Sequence, residues 1–309
     1  MELEKDSFRK YHKIKILGDR DNKGIFDNPL EKIYIQEKMD GANFRFRILN
    51  CDFIFGSRTQ QLTSNKGEET NVPKNFKRCI DYIKEKISRN RIIIPEDYVF
   101  FGEAMHKHTM GYDWEKVPPF LGFDIWDSKK GVWLDYPIVA DIYQGLGLDV
   151  VPLIDVVEAK DIIKVDDSIV PQSRYSIDFA EGVVFKNYDK QLFAKYVRPK
   201  FKEESRKNFG NIAKYADSDE GYFVAKYCTN ARIEKMIYKL LDEGYELSRE
   251  LMKYLPQCVY LDIWEENLLK IIMSKDKTIN LRKFNKGVSK RCFTVLNNLI
   301  TNEVINGDM

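Results

Sequence analysis

Apolar and polar positions alternate over much of the first two hundred residues and recur every three or four over the last hundred, so the chain changes structural period once. The alternation is strongest in Tyr34-Ile35-Gln36-Glu37-Lys38 and Phe44-Arg45-Phe46-Arg47-Ile48, which flank Asp40-Gly41; Phe53-Ile54-Phe55 follows. These runs predict strand, turn and strand, the start of an antiparallel sheet. Further strands are expected at Tyr98 to Phe101, Phe120 to Trp126, Val132 to Leu134, Val150 to Leu153, Gly182 to Lys186 and Leu192 to Val197. Two stretches break the pattern. Phe76, Ile80, Ile83 and Ile87 recur at helical spacing within 74–90, and Pro137 to Leu146 reads as a second helix. Upstream, residues 8–17 suit a short strand or docking arm, and Asp19 to Asn28 a polar loop.

Beyond about residue 202 helical stripes take over: Ile233, Met236, Ile237, Leu240 and Leu241, then the dense apolar run Leu261 to Ile272, then Val288, Cys292, Val295, Leu296 and Leu299. The expected fold class is therefore α+β, with an antiparallel-sheet-rich domain over 1–202 and a smaller all-helical domain over 203–309. The charged stretch from Lys200 to Gly210 is the natural boundary.

Composition narrows the class. With 43% apolar and 32% charged residues, and no run of about 18 apolar residues, the chain reads as a soluble globular protein with no membrane span. The first residues, Met-Glu-Leu-Glu-Lys-Asp, lack the apolar core of a signal peptide. The five cysteines, at 51, 79, 228, 258 and 292, are odd in number and form no Cys-x-x-Cys pair, so neither a disulfide framework nor a zinc site is expected and a cytoplasmic location fits. A net charge of +2 implies no nucleic-acid partner by itself. Its distribution says more, because residues 277–302 carry Lys277, Arg282, Lys283, Lys286, Lys290 and Arg291 with no acid among them.

The candidate chemistry begins at Lys38, set after an apolar strand and before Asp40-Gly41, where it can be held and aimed. An amine has a pKa of about 10.4 in water, so burial or neighbouring cations must favour its neutral form before it attacks. Five further elements lie at strand ends. Gly56-Ser57-Arg58 offers a guanidinium for ribose or phosphate, Phe101-Gly102-Glu103 a carboxylate for a ribose hydroxyl or a divalent metal, and Phe123-Asp124 a ring to stack on a base. Glu181-Gly182-Val183-Val184-Phe185-Lys186 pairs a carboxylate with a lysine, and Lys195 adds a second cation. Each element alone is commonplace; the ordered series is not.

Taken together, Lys38-Met39-Asp40-Gly41, Ser57-Arg58, Phe101-Gly102-Glu103, Phe123-Asp124, Glu181 to Lys186 and Lys195 resemble the covalent nucleotidyltransferase superfamily of polynucleotide ligases and RNA capping enzymes. Glu37-Lys38, with Gly41, Asn43 and Phe44 at fixed offsets, looks most like the nick-sealing RNA ligases of phage and kinetoplastid-editing type. That resemblance, covering roughly residues 8–200, implies an ATP-dependent RNA ligase of RNA repair, using ATP and Mg2+ (or Mn2+), that joins a 3′-hydroxyl to a 5′-phosphate through lysyl-AMP. The RNA partner would present a nicked duplex or single-stranded ends.

It also implies roles. Lys38 would attack the α-phosphate; Lys186 and Lys195 would contact that phosphate and lower the pKa of Lys38; Glu103 and Glu181 would hold the metal or the ribose. Phe123 would stack on adenine, Glu37 would help recognise the base, Asp40 would belong to the nucleotide site, Arg58 would engage ribose and AMP, and Asn43 the nucleic-acid end. Once the substrate is RNA, Lys283 and Lys286 become candidate phosphate contacts. The match departs from the pattern at the fifth motif, where Tyr196 and Val197 follow Lys195 in place of a second lysine; Arg198 and Lys200 are the nearby cations. His106 and His108 read as polar loop histidines rather than metal ligands. A DNA ligase or GTP-dependent capping enzyme is the alternative, disfavoured by the helical second domain, and a catalytically inactive binding module is disfavoured by the intact motif lysines and glutamates.

Overall fold

The computed structural model describes residues 8–70, 72–90, 93–106, 110–198, 218–274 and 277–307, with side chains up to residue 301. His108, Lys200 and the expected boundary stretch to Gly210 lie outside the described residues. The chain divides into two compact units, Met1–Pro199 and Lys200–Met309.

Among the described residues of the first unit, ten strands form two five-stranded sheets. One sheet holds β1 (Lys15–Ile16), β2 (Lys32–Glu37), β8 (Leu153–Glu158), β9 (Gly182–Asn187) and β10 (Leu192–Val197), in the order β1-β10-β9-β2-β8. The other holds β3 (Ala42–Leu49), β4 (Asp52–Ser57), β5 (Tyr98–Ala104), β6 (Phe120–Asp127) and β7 (Val132–Trp133), in the order β4-β3-β5-β6-β7. Every pairing is antiparallel except β1 with β10.

The expected strand–turn–strand at Asp40-Gly41 is not a hairpin: β2 and β3 belong to different sheets, and the chain crosses between them here. A tight hairpin needs left-handed backbone at its turn, and that occurs one connection later, where Asn50 and Cys51 (φ 50° and 68°) join β3 to β4. Gly41 serves close approach instead. A Cβ there would stand 2.8 Å from the Ala104 carbonyl oxygen and 2.8 Å from Glu103 Cγ.

The period-two pattern decides what each face meets. Phe44 and Phe46 of β3, with Phe55, Phe100 and Phe120, face α1 (Lys74–Arg89) and α2 (Tyr136–Gly145), burying Phe76, Ile80, Ile83, Val139 and Tyr143 against them. On the other sheet Ile33, Ile35, Val183, Phe185 and Ala194 pack outward against Ile25, Ala159, Val170 and Ala180. A third cluster joins the inner faces of both sheets: Tyr188 and Phe193 from one, Ile54, Val99, Phe101 and Trp133 from the other, with Phe8 and Tyr11 of the upstream arm. The expected strand at Val150 to Leu153 lies further along, as β8, because Gly122, Val151 and Pro152 form the bridge that brings β6 beside β2.

The second unit is helical: α3 (Asp219–Tyr227), α4 (Asn230–Asp242), α5 (Leu255–Ile272) and α6 (Leu281–Gly307). Its core takes Ile233, Met236, Ile237, Leu240, Val259, Ile263, Phe284, Val288, Cys292 and Leu296. The Leu261 to Ile272 run is only partly core, since Leu261, Leu268, Leu269 and Ile272 are exposed. All five cysteines are free. Among the described residues no helix is long and apolar enough to cross a membrane.

Candidate active site

β2 delivers Lys38 to the inner face. Its backbone N–H still donates to the Gly182 carbonyl (3.0 Å), so the lysine sits on the last rung of the β2–β9 ladder. Gly182 is required there, because a Cβ would lie 2.0 Å from the Tyr196 carbonyl oxygen of β10. The adjoining Glu181 thereby meets the lysine, and Lys38 Nζ donates to Glu181 Oε2 at 2.5 Å. The pair keeps some solvent contact, with side-chain exposures of 22% and 13%.

Burial pulls the pKa of Lys38 down, but Glu181, followed by Asp40 and Glu103, pushes it up and prevails. The charged groups that shift it are acids, and neither Lys186 nor Lys195, expected to depress it, is among them. Glu103, opposite Asn43 in the β3–β5 register, is driven up to about 8, chiefly by burial; Asp40 and Glu181 add to the rise while Lys38 and Arg58 oppose it. Lys38, Asp40, Arg58, Glu103 and Glu181 thus form one electrostatic cluster. Arg58 stands exposed just beyond β4.

Beyond Lys38 and Glu181, three further residues expected at a nucleotide have the following protein partners. Asp40 organises the loop beside it: its Oδ2 accepts from the Met110 N–H (2.8 Å), and its own N–H donates to the Tyr112 hydroxyl (2.8 Å). Glu37 is buried and accepts from the Arg174 N–H (3.1 Å), while its Oε1 has no partner among the described residues. Burial raises its pKa and the bonds from Ser173 and Arg174 counter this. Lys186, at 2% exposed, is no free cation: its Nζ donates to Asp124 Oδ2 (2.8 Å) and to the Phe123 carbonyl (3.0 Å). Burial lowers its pKa and Asp124 resists the fall.

The other expected residues fall on or beside the same face. Cross-strand register sets Lys186 opposite Phe193, and Val184 opposite Lys195 and Gln36, so these side chains share one side of the sheet. Phe123 is half-buried, with Lys186 Nζ 5.1 Å from its ring centre. Asn43 Oδ1 is buried without a partner among the described residues. Arg198, one of the cations after the fifth motif, places its guanidinium 4.5 Å from the Phe179 ring and donates its backbone N–H to the Glu181 carbonyl. His106 meets Asn75 of α1. Lys283 and Lys286 belong to the helical unit, exposed on α6 with Arg282 and Lys290 opposite the buried stripe. The structure therefore gathers Lys38, Asp40, Asn43, Arg58, Glu103 and Glu181 at the crossing between sheets, and Phe123, Lys186 and Lys195 along the adjoining face.

Sequence reasoning quoted Asp124 within a motif but gave it no role, and passed over Tyr11 and Gln36. Asp124 is fully buried and accepts from Lys186, Tyr11 and Tyr188. Gln36 is 1% exposed, and its Nε2 has no partner among the described residues. Alternation alone could have flagged Gln36, a polar residue two positions before Lys38 on the same strand face.

Among the described residues no group of three or more His, Cys, Asp or Glu side chains could hold a metal ion. Two carboxylates, Glu103 and Glu181, lie in the cluster, which fits a hard divalent cation that completes its shell with water and substrate phosphate oxygens.

A family model described as RNA ligase matches residues 31–202, more than half of the chain and every motif from Glu37 to Lys195. The chain belongs to the RNA ligase family. Solved structures of Naegleria gruberi RNA ligase resemble it: one with pyrophosphate, at 17% identity and a TM-score of 0.48, covers 66% of this chain and 60% of that one. A variant of the same enzyme with ATP and manganese shares 17% identity at a TM-score of 0.47, over 64% of this chain and 59% of that one. The chain thus spans about three fifths of the length of these structures. No curated protein matches the chain at a significant level. The RNA ligase match leaves the arm before residue 31 and the helical unit outside it.

Proposed function

We propose that this member of the RNA ligase family is an ATP-dependent RNA ligase that seals a 3′-hydroxyl to a 5′-phosphate, with a nicked duplex as the substrate its motifs favour. The observation that carries the reading is the Lys38–Glu181 contact of 2.5 Å at the crossing between sheets, with Glu103 and Arg58 in the same cluster.

In the first step Lys38 Nζ, having lost a proton, attacks the α-phosphorus of ATP; a P–N bond forms, the bond to the pyrophosphate oxygen breaks, and pyrophosphate leaves. Glu181 holds the lysine in place beforehand and is the carboxylate within reach to accept its proton. Lys195 and the N–H of Lys186 not engaged by Asp124 or Phe123 are the donors for the α-phosphate oxygens, where negative charge accumulates. Phe123 supplies the ring for the base and Glu37 Oε1 an open acceptor for its exocyclic amine. Bound by Glu103, Glu181 and phosphate oxygens, Mg2+ or Mn2+ would offset phosphate charge and relieve the acidic surroundings that keep Lys38 protonated.

In the second step an oxygen of the RNA 5′-phosphate attacks the AMP phosphorus, the P–N bond breaks and Lys38 regains its proton. In the third the 3′-hydroxyl attacks the 5′-phosphorus and AMP leaves. Alignment of the two ends is the main demand of that step, and Asn43, whose oxygen has no partner among the described residues, and Arg58 border the place where they meet. Arg282, Lys283, Lys286 and Lys290 of α6 supply backbone phosphate contacts without sequence preference.

The test is covalent labelling with α-phosphate-labelled ATP or GTP and magnesium. Label from ATP on the wild type and none on Lys38→Ala is expected. No label on the wild type, or equal label on Lys38→Ala, sinks the mechanism, and a preference for GTP moves the reading to capping.

A further inference from the structure

The inner face of the site is completed by a segment outside the family match. Residues 8–14 have no regular structure, yet they lie on the inner face of the β3–β7 sheet through a series of ring contacts. Phe8 packs beneath the guanidinium of Arg45 (4.5 Å), and Arg9 lies over the Trp126 ring (3.6 Å). Tyr11 is 8% exposed, its ring against Phe101 (5.2 Å) and Trp133 (5.1 Å) and edge-on to Phe123 (4.9 Å, 67°).

Its hydroxyl donates to Asp124 Oδ2 at 2.5 Å, the oxygen that also takes Lys186 Nζ, while Tyr188 donates to Oδ1 at 2.8 Å. The carboxylate is therefore fixed at both oxygens, and the lysine is fixed by that carboxylate and by the Phe123 carbonyl. An ammonium has three N–H donors; with two committed in fixed directions, the direction of the third is set as well. Buried tyrosines commonly find some acceptor. This one shares an oxygen with a lysine assigned to the phosphate and touches the ring assigned to the base.

We propose that Tyr11 is a positioning residue for lysyl-AMP formation, its hydroxyl fixing Asp124 and so the free N–H of Lys186, its ring fixing the edge of Phe123. The inference rests on the adenylylation chemistry proposed above. The two halves of the side chain act on different quantities: the hydroxyl on the phosphate step, the ring on base binding.

The experiment is single-turnover formation of labelled lysyl-AMP over a range of ATP concentrations, run below the onset of melting of every variant. Tyr11→Phe, which keeps the ring, is expected to slow the reaction about tenfold at saturating ATP, the weight of one lost hydrogen bond to a charged group, with the half-saturating ATP concentration held within about twofold. Tyr11→Leu is expected to raise that concentration several-fold as well. Tyr188→Phe should resemble Tyr11→Phe. A wild type that labels while Tyr11→Phe reacts at the same saturated rate overturns the role of Tyr11 and leaves the ligase reading intact. A wild type that takes no label overturns both.

Discussion

Two lysine–carboxylate pairs lie in the same domain and differ in almost everything but chemistry. Lys38 and Glu181 meet at 2.5 Å with side chains 22% and 13% exposed; Lys186 and Asp124 meet at 2.8 Å with side chains 2% and 0% exposed. Burial pulls both lysines' pKa values down; at Lys38 the acids Glu181, Asp40 and Glu103 together outweigh it, whereas at Lys186 Asp124 does not. A partly solvated pair is worth about 1 kcal/mol or less and can part at little cost, whereas removing one partner of a buried pair strands a charge at about 3–5 kcal/mol. Accordingly the first pair suits a group that must detach, react and return, and the second suits a group that must not move.

Several experiments bear on that contrast. Lys38→Ala should lose at least about a thousandfold in lysyl-AMP formation while its stability changes by about 1 kcal/mol, read by labelling and thermal melting together. Asp124→Ala should do the reverse in kind: a loss of about 3–5 kcal/mol, or roughly 10 °C in Tm for a unit of this size. Equal melting temperatures for the two variants would erase the distinction. Glu181→Gln removes the acid that restrains Lys38, so an amine-acylating reagent at mildly alkaline pH should modify Lys38 several-fold faster, found by peptide mass mapping, with buried Lys186 unmodified in the folded protein.

A pH effect follows from Glu103, whose pKa is raised to about 8. A raised carboxyl pKa means that the folded chain holds this proton more tightly than the unfolded chain, whose value is about 4.3. Its contribution to stability is present below the unfolded value and is lost as pH rises towards about 8, so the metal-free wild type should lose Tm over that window and Glu103→Gln should lose less. The smallest effect belongs to the helical unit. Charge reversal at Lys283 and Lys286 should weaken RNA binding and reduce the salt-dependence slope by about 1 per lost phosphate contact, as read by binding titrations at several salt concentrations; an unchanged slope would remove α6 from the RNA interface.

Local pattern made much of this molecule readable. Alternation marked most of the strands because a half-buried sheet needs period two, and α1 was marked by its four isoleucine and phenylalanine positions. Short chemistry-bearing segments stood at strand ends and could be read in order. Partners distant in sequence could not. Asp40-Gly41 looked like a hairpin because strand signals flank it, but whether two strands pair or part between sheets depends on what each meets elsewhere, here β9 and β5.

By itself, then, the sequence determined the α+β class, the positions of most elements and the lysine proposed as the nucleophile, all read from neighbouring residues and their spacing. Only the tertiary structure decided which charges face one another: that Lys38 rests on Glu181, 143 positions away, and that Lys186 is bound to Asp124, which an upstream tyrosine also holds. Charge interaction falls with distance in space, and distance in space is set by sheet register and packing rather than by position along the chain.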